Sequence, residues 1–186
     1  MGPEENYYSH FEGLLTTKQL TALKKYIKGL EKEMKFFSLL GASQRLKFSH
    51  DQLDYFIARS KWNERKLNRL RCQMDVQSSQ NKHYDIVVDD GGILKYTMRP
   101  YFVAKGWIGN IGKVDKCFCN VFVNFIGAED NIPFEVETYL PSAKLAAGNK
   151  DWEFRSKLEI FIALVQRACF FAQENGLEIG RILFDS

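Results

Sequence analysis

Two short apolar runs that each end in acid constrain this chain more than any other feature. Ile86-Val87-Val88 leads into Asp89-Asp90-Gly91-Gly92, and Ile182-Leu183-Phe184 leads into Asp185-Ser186. Apolar runs of this length read as buried strands. A carboxylate at the C-terminal edge of such a strand sits half desolvated at the lip of a sheet, where it can bind a hard cation through oxygen. If the two strands are neighbours, Asp90 and Asp185 converge, and the arrangement points to metal-dependent phosphoryl chemistry. The bland alternative is a turn at Asp89-Asp90-Gly91-Gly92, since Asp and Gly favour turns, with Asp185 a solvated end residue.

The pattern around these runs changes character part-way along the chain. Up to about residue 80 it is helical. Thr16 or Thr17 can cap a helix running towards Gly29, with Leu20, Leu23, Ile27 and Leu30 as its apolar stripe. A second helical stretch covers about residues 31–40. Ser49 and Gln52 have capping-box spacing ahead of Leu53, Phe56 and Ile57. Asn63 caps a further helix with Leu67, Leu70 and Met74 on one side. The polar run Gln77 to Lys82 reads as a linker, which divides the chain into a helical region, 1–80, and a second region, 81–186.

In the second region the period shortens. Strands are expected at Asp85–Asp89, followed by a Gly-Gly turn, and at Cys117–Ile126 and Phe134–Leu140. An irregular extended segment covers Tyr96–Val103, where Pro100 argues for an edge. A helix from Glu153 to Asn175 carries Leu158, Phe161, Ile162, Val165 and Cys169 and stops at Gly176. Arg181–Phe184 is the last strand. This order is α/β, with antiparallel strands first and a crossover to a parallel one.

Charge is uneven. Lys and Arg number 14 against 9 Asp and Glu up to Asp75, and 12 against 14 beyond it. The basic excess suggests an anionic partner for the helical part. Arg59, Lys61, Arg65, Lys66 and Arg69 surround Trp62, and Arg65, Lys66 and Arg69 share a helix face that can neutralise phosphates. An ordinary solvated face is the alternative, and Trp62 reads as a core or hinge residue. No apolar run reaches eighteen residues and the N-terminus lacks a signal-peptide pattern, so no membrane partner is expected and the compartment reads as cytoplasmic. Cys72, Cys117, Cys119 and Cys169 lack zinc-ligand spacing and read as free thiols. Gly109 to Lys113 lacks the spacer and the hydroxyl residue of a phosphate loop, which excludes nucleotide binding.

Several motifs, taken in order, resemble bacterial insertion-sequence transposases of the DDE superfamily. They are Val87-Val88-Asp89-Asp90-Gly91-Gly92, then Lys95, then Gly109 to Cys117, Thr138-Tyr139-Leu140-Pro141, Phe154 to Glu159, and Phe184-Asp185-Ser186. Gly29-Leu30, Ser60 to Asn63 and Arg71 extend the likeness to the helical part. The resemblance implies a ribonuclease H-like mixed sheet, incomplete here, behind an all-helical N-terminal region. It also implies a DDE endonuclease that cuts and joins DNA at transposon ends with Mg²⁺ or Mn²⁺, near the nucleoid. A homodimer is compatible with it.

On this resemblance Asp90 and Asp185 are the catalytic and metal-binding acids. Asp89, on the opposite face, is a supporting residue that could hold a basic side chain. Gly91 departs from the family by replacing its usual hydroxyl residue, and Ala104-Lys105 replaces an Arg-Gln. The family's third carboxylate, a downstream glutamate, has no counterpart up to Ser186. Glu135, Glu137, Glu159 and Glu174 all read as solvated surface charges. The chain is therefore expected to be the N-terminal portion of a transposase; the rival is a catalytically inactive, transposase-derived DNA-binding or interaction module.

Overall fold

The computed structural model of the protein describes residues 7–32, 41, 43, 44, 49–94, 103–141 and 153–184. The chain divides into two compact units, Met1–Leu70 and Arg71–Ser186.

In the first unit, helix α1 spans Thr17–Lys32 and α2 spans His50–Ala58; α3, Glu64–Ser78, begins in this unit and ends in the second. Thr16 caps α1 reciprocally. Its hydroxyl accepts from the Gln19 N–H (3.4 Å) and its own N–H donates to Gln19 Oε1 (2.8 Å), which satisfies two donors the helix leaves orphaned. The other end of the same amide donates to Ser60 Oγ and to the Lys61 carbonyl, 2.9 Å each. Of the expected α1 stripe, Leu20 is buried, Leu23 and Ile27 are half-buried, and Leu30 is exposed. The stretch expected after Lys32 lies almost wholly outside the described residues. Asn63 caps α3 as expected, its Oδ1 accepting from the Lys66 N–H at 2.9 Å.

The Ser49 capping box does not form. Ser49 holds the cap position with extended backbone but makes no side-chain capping bond. Asp51 and Gln52 are exposed, so water can satisfy the first-turn donors instead. Leu53 and Phe56 are buried beneath α2. Trp62 stacks flat on Phe56, with centroids 5.4 Å apart and planes 9° apart, and donates to the Phe56 carbonyl. It is a packing residue at the turn between α2 and α3.

The second unit is a mixed, open five-stranded sheet with helix α4 (Lys157–Glu174) on one face. Its strands are β1 (His83–Leu94), β2 (Ala104–Ile108), β3 (Lys113–Ile126), β4 (Asn131–Tyr139) and β5 (Glu178–Phe184). β1 pairs antiparallel with β3, while β2 and β4 both pair antiparallel with the far side of β3. The crossover through α4 brings β5 back parallel to β1. This architecture, preceded by helices, is consistent with a ribonuclease H-like fold.

Tyr84, Ile86 and Val88 of β1 and Val121, Val123 and Phe125 of β3 alternate onto the α4 face, as half-buried strands require. Ile160, Leu164, Ala168 and Phe171 of α4 meet them. The expected α4 stripe was rotated away from this one: Leu158 and Ile162 are exposed, and Phe161, Val165 and Cys169 pack at its margin. The helix is apolar on more than one side, so periodicity alone does not pick the buried face. Its end follows the expected glycine stop. Gly176 has φ +65°, and Leu177 N–H bonds to the Ala172 carbonyl at 2.9 Å while Gly176 N–H bonds to that of Gln173 at 3.3 Å, a Schellman closure that buries Leu177.

Two strand assignments change. No turn occurs at Gly91-Gly92; β1 runs through both glycines to Leu94, because β3 offers ladder partners that far. β2 is a strand that the apolar pattern did not reveal, its sequence Ala-Lys-Gly-Trp-Ile being only weakly strand-like. The segment expected as extended, 96–103, lies outside the described residues except for Val103. β4 has a bulge: Asn124 pairs with Pro133 and Val123 with Glu135, so Phe134 is the extra residue. Phe134 and Glu135 therefore both serve the α4 side, and Val136 is 58% exposed on the other.

A second irregularity sits at Asp85, between the β1–β5 pairs Tyr84↔Ile179 and Ile86↔Ile182. Asp85 fills it with side-chain bonds to Arg181, Oδ1 accepting from the backbone N–H at 2.9 Å and Oδ2 from Nη2 at 2.6 Å. The Arg181 hydrogen bond holds the Asp85 carboxyl below its ordinary value. This stabilisation is present above the ordinary carboxylate value and is lost as pH falls through the lowered one. Thermal melts across mildly to strongly acidic pH should therefore show the wild type losing stability faster than Asp85→Asn, with parallel curves counting against the assignment.

Candidate active site

Asp90 lies within β1, opposite Val121 of β3. It shares the α4-facing side with Val88 and Gly92, because it is two residues from each. The expectation that it ends the strand was wrong in detail, since β1 continues to Leu94. Among the described residues the last β1–β5 register pair is Val88↔Phe184. Asp90 lies two residues beyond that pair along β1 and is 45% exposed at its side chain. Asp89 projects to the other face, exposed, and its Oδ1 accepts from the Asp90 N–H at 2.7 Å. Asp185, the residue after Phe184, lies outside the described residues.

Sequence reasoning missed the partner of Asp90. Lys157, the first residue of α4, forms an ion pair with Asp90 Oδ2, and Cys119 donates to the same oxygen at 3.5 Å. The Lys157 ammonium also lies 5.7 Å from the centre of the Tyr139 ring. Burial is the largest single influence and works against the charge on Asp90, but the Lys157 hydrogen bond and charge together with the Cys119 hydrogen bond outweigh it, and the carboxyl stays below its ordinary value. Burial likewise opposes the Lys157 charge most strongly, and the interactions with Asp90 and Cys119 together raise its value. The local sequence fixes where this lysine sits. Ser156 and Glu159 form a complete capping box, Ser156 Oγ accepting from the Glu159 N–H at 3.2 Å and Glu159 Oε2 accepting from the Ser156 N–H at 2.6 Å.

The remaining acids are not simply solvated, contrary to expectation. Glu137 pairs with Arg155, and Arg167 joins Glu135 (2.7 Å) to Glu137 (3.0 Å). The β4 bulge turns both glutamates towards these arginines on the α4 side. Glu159 is consumed by the cap, and Glu174 has interactions of its own. The four cysteines are free, as expected, and burial pushes the Cys72 thiol up to about 11.

Two hollows flank the Asp90–Lys157 pair. One, of about 380 Å³, is lined by Gly92, Gly106, Cys117, Cys119 and Tyr139. A methyl at Gly92 would come 2.9 Å from the Trp107 carbonyl oxygen, so only glycine lets β2 pass this close. The other, of about 500 Å³, is lined by Val88, Val121, Leu158, Phe161 and Phe184. In the first unit Arg59, Lys61, Arg65, Lys66 and Arg69 are all exposed.

The motifs that build this site extend along most of the chain, and so does a family match. A family model described as DDE superfamily endonuclease matches residues 9–186. The chain belongs to the DDE superfamily endonucleases. A curated relative of this DDE chain, "Probable transposase for insertion sequence element IS701" of Microchaete diplosiphon, is 29% identical over 134 residues. That match covers 72% of this chain and 33% of the relative, so the chain spans about a third of the relative's length. No solved structure matches. Among the described residues of this DDE chain, no helix is long and apolar enough to cross a membrane.

DDE superfamily endonucleases generally use divalent metals. Among the described residues no group of three His, Cys, Asp or Glu is placed to hold one. The donor chemistry at Asp90 nevertheless fits. A half-exposed carboxylate oxygen suits a hard cation, and a cationic group, the Lys157 ammonium, already stands against it.

Proposed function

We propose that this chain provides the helical, DNA-contacting region and the first two carboxylates of a transposase that cuts and joins DNA at insertion-sequence ends. The observation that best supports this is the parallel β1–β5 pair. Its last register position, Val88↔Phe184, lies two residues before Asp90 on one strand and one residue before Asp185 on the other. Asp90 and Asp185 would together hold Mg²⁺ or Mn²⁺. Held by these carboxylates, such an ion would supply Lewis-acid chemistry for activating an attacking oxygen and for offsetting charge on the phosphate oxygens.

The chain's own residues supply the rest. Asp90 is held on a three-strand ladder, so its carboxylate needs little reorganisation. Asp89 bonds the Asp90 backbone and steadies the strand. Lys157 brings positive charge to an otherwise acidic lip, where an anionic backbone must approach. Two carboxylates are few for two ions, so the activity is expected of a longer polypeptide that adds a third, and the isolated 186 residues are expected not to cleave. The test is incubation with linear DNA bearing the element's ends and Mg²⁺ or Mn²⁺. Cleavage by the 186 residues that vanishes in Asp90→Ala would show that they, or a second copy of them, already supply the third ligand.

The rival, an inactive DNA-binding module, shares the basic helical region, and the exposure of Arg59, Lys61, Arg65, Lys66 and Arg69 favours DNA contact under either reading. Reversing Arg65, Lys66 and Arg69 to Glu should abolish nonspecific duplex binding at physiological salt. For Arg65, Lys66 and Arg69 as three phosphate contacts, the slope of log affinity against log salt should fall by about 3. An unchanged slope would mean that these side chains are merely solvated.

A further inference from the structure

Lys157 contradicts a local rule. It is the first residue of α4, where unpaired N–H groups leave partial positive charge and where acids, not cations, are stabilising. The capping box of Ser156 and Glu159 fixes the helix start, so Lys157 is held in this turn. A residue that breaks a local preference inside an otherwise consistent element marks a functional demand. Its ammonium is the group that meets Asp90 Oδ2, and it is 49% exposed. The pair forms part of the wall of both hollows. A lysine head on a flexible four-carbon stem can therefore leave Asp90 for the glycine-lined hollow without any movement of α4.

We propose that Lys157 is an exchangeable cation: it occupies the cation position on Asp90 until a divalent ion takes it, and its released ammonium then holds a DNA phosphate in the hollow lined by Gly92 and Gly106. The inference rests on the metal-binding reading of Asp90. It assigns the lysine of the Phe154–Glu159 stretch a part in substrate binding, and it makes metal affinity and strand affinity opposite functions of one side chain.

The test uses the 186-residue chain and measures Mn²⁺ binding by titration calorimetry without DNA. Lys157→Met and Lys157→Gln should each bind Mn²⁺ tighter by about fivefold, since one half-exposed ion pair no longer has to be broken. Asp90→Asn should lose the site. With Ca²⁺ present, a single-stranded oligonucleotide should bind both Lys157 variants more weakly than the wild type, and Lys157→Arg should restore strand binding. Unchanged or weaker Mn²⁺ binding in variants whose circular dichroism matches the wild type overturns the exchange. Unchanged oligonucleotide binding overturns the phosphate contact. Mn²⁺ binding that survives Asp90→Asn sinks the metal reading itself, so the two failures are told apart.

Discussion

Asp90→Asn should reduce DNA cleavage by a transposase carrying this segment by at least about 10²–10³, the loss typical when one charge-stabilising group is removed from a reacting centre. The fold should barely notice. Asparagine keeps the shape, and the ion pair it loses is half-exposed on both sides, worth about 0–1 kcal/mol. Asp89→Asn is the matched control, one residue away on the other face, and should cost far less. Cleavage rates measured beside thermal melts decide the matter. Equal losses in the two variants would remove the distinction between the acids, and a melting shift equal to that of a core variant would make the effect structural.

Phe125→Ala should produce the largest loss of stability. Phe125 is fully buried, and its ring lies 6.1 Å from Tyr84, 5.2 Å from Phe134 and 5.8 Å from Phe171. It thus joins β1, β4 and α4 through one side chain of β3. Removing it should cost about 3–5 kcal/mol, a large part of the 5–15 kcal/mol of a typical domain. Ile162→Ala, on the exposed side of α4, should stay within about 0.5 kcal/mol. Urea unfolding of the two variants measures both, and a Phe125→Ala chain as stable as Ile162→Ala would contradict the assigned core.

The sequence was legible where chemistry repeats with a period. β1, β3 and β5 were found from apolar runs, and Asn63 and Gly176 from end signals. It was less legible where long-range partners decide. β1 crosses Gly91 and Gly92 because β3 continues beside it, and β2 persists because β3 pairs with it, neither of which is a local preference. Glu135 and Glu137 looked solvated because their arginines, Arg155 just before α4 and Arg167 within it, lie 18 to 32 residues away in sequence. Lys157 was visible as a residue but not as the partner of Asp90, since sixty-seven positions separate them. The one local clue was a cation in the first turn of a capped helix.

The bulge at Phe134 has a consequence for how this site can change. An alternating strand carries information in its phase: odd positions face one way and even positions the other. The extra residue resets that phase ahead of Glu135, Glu137 and Tyr139, which hold the arginines and flank Lys157. Substitutions along β4 alter one contact at a time. Closing the bulge without losing a residue would instead exchange the two faces downstream, sending Val136 inward and Tyr139 outward together, whereas deleting Phe134 would only restore a regular ladder with Glu135 still opposite Val123. The side of the sheet that Glu135, Glu137 and Tyr139 serve is therefore set by the one extra residue at Phe134 and not by any single contact along β4.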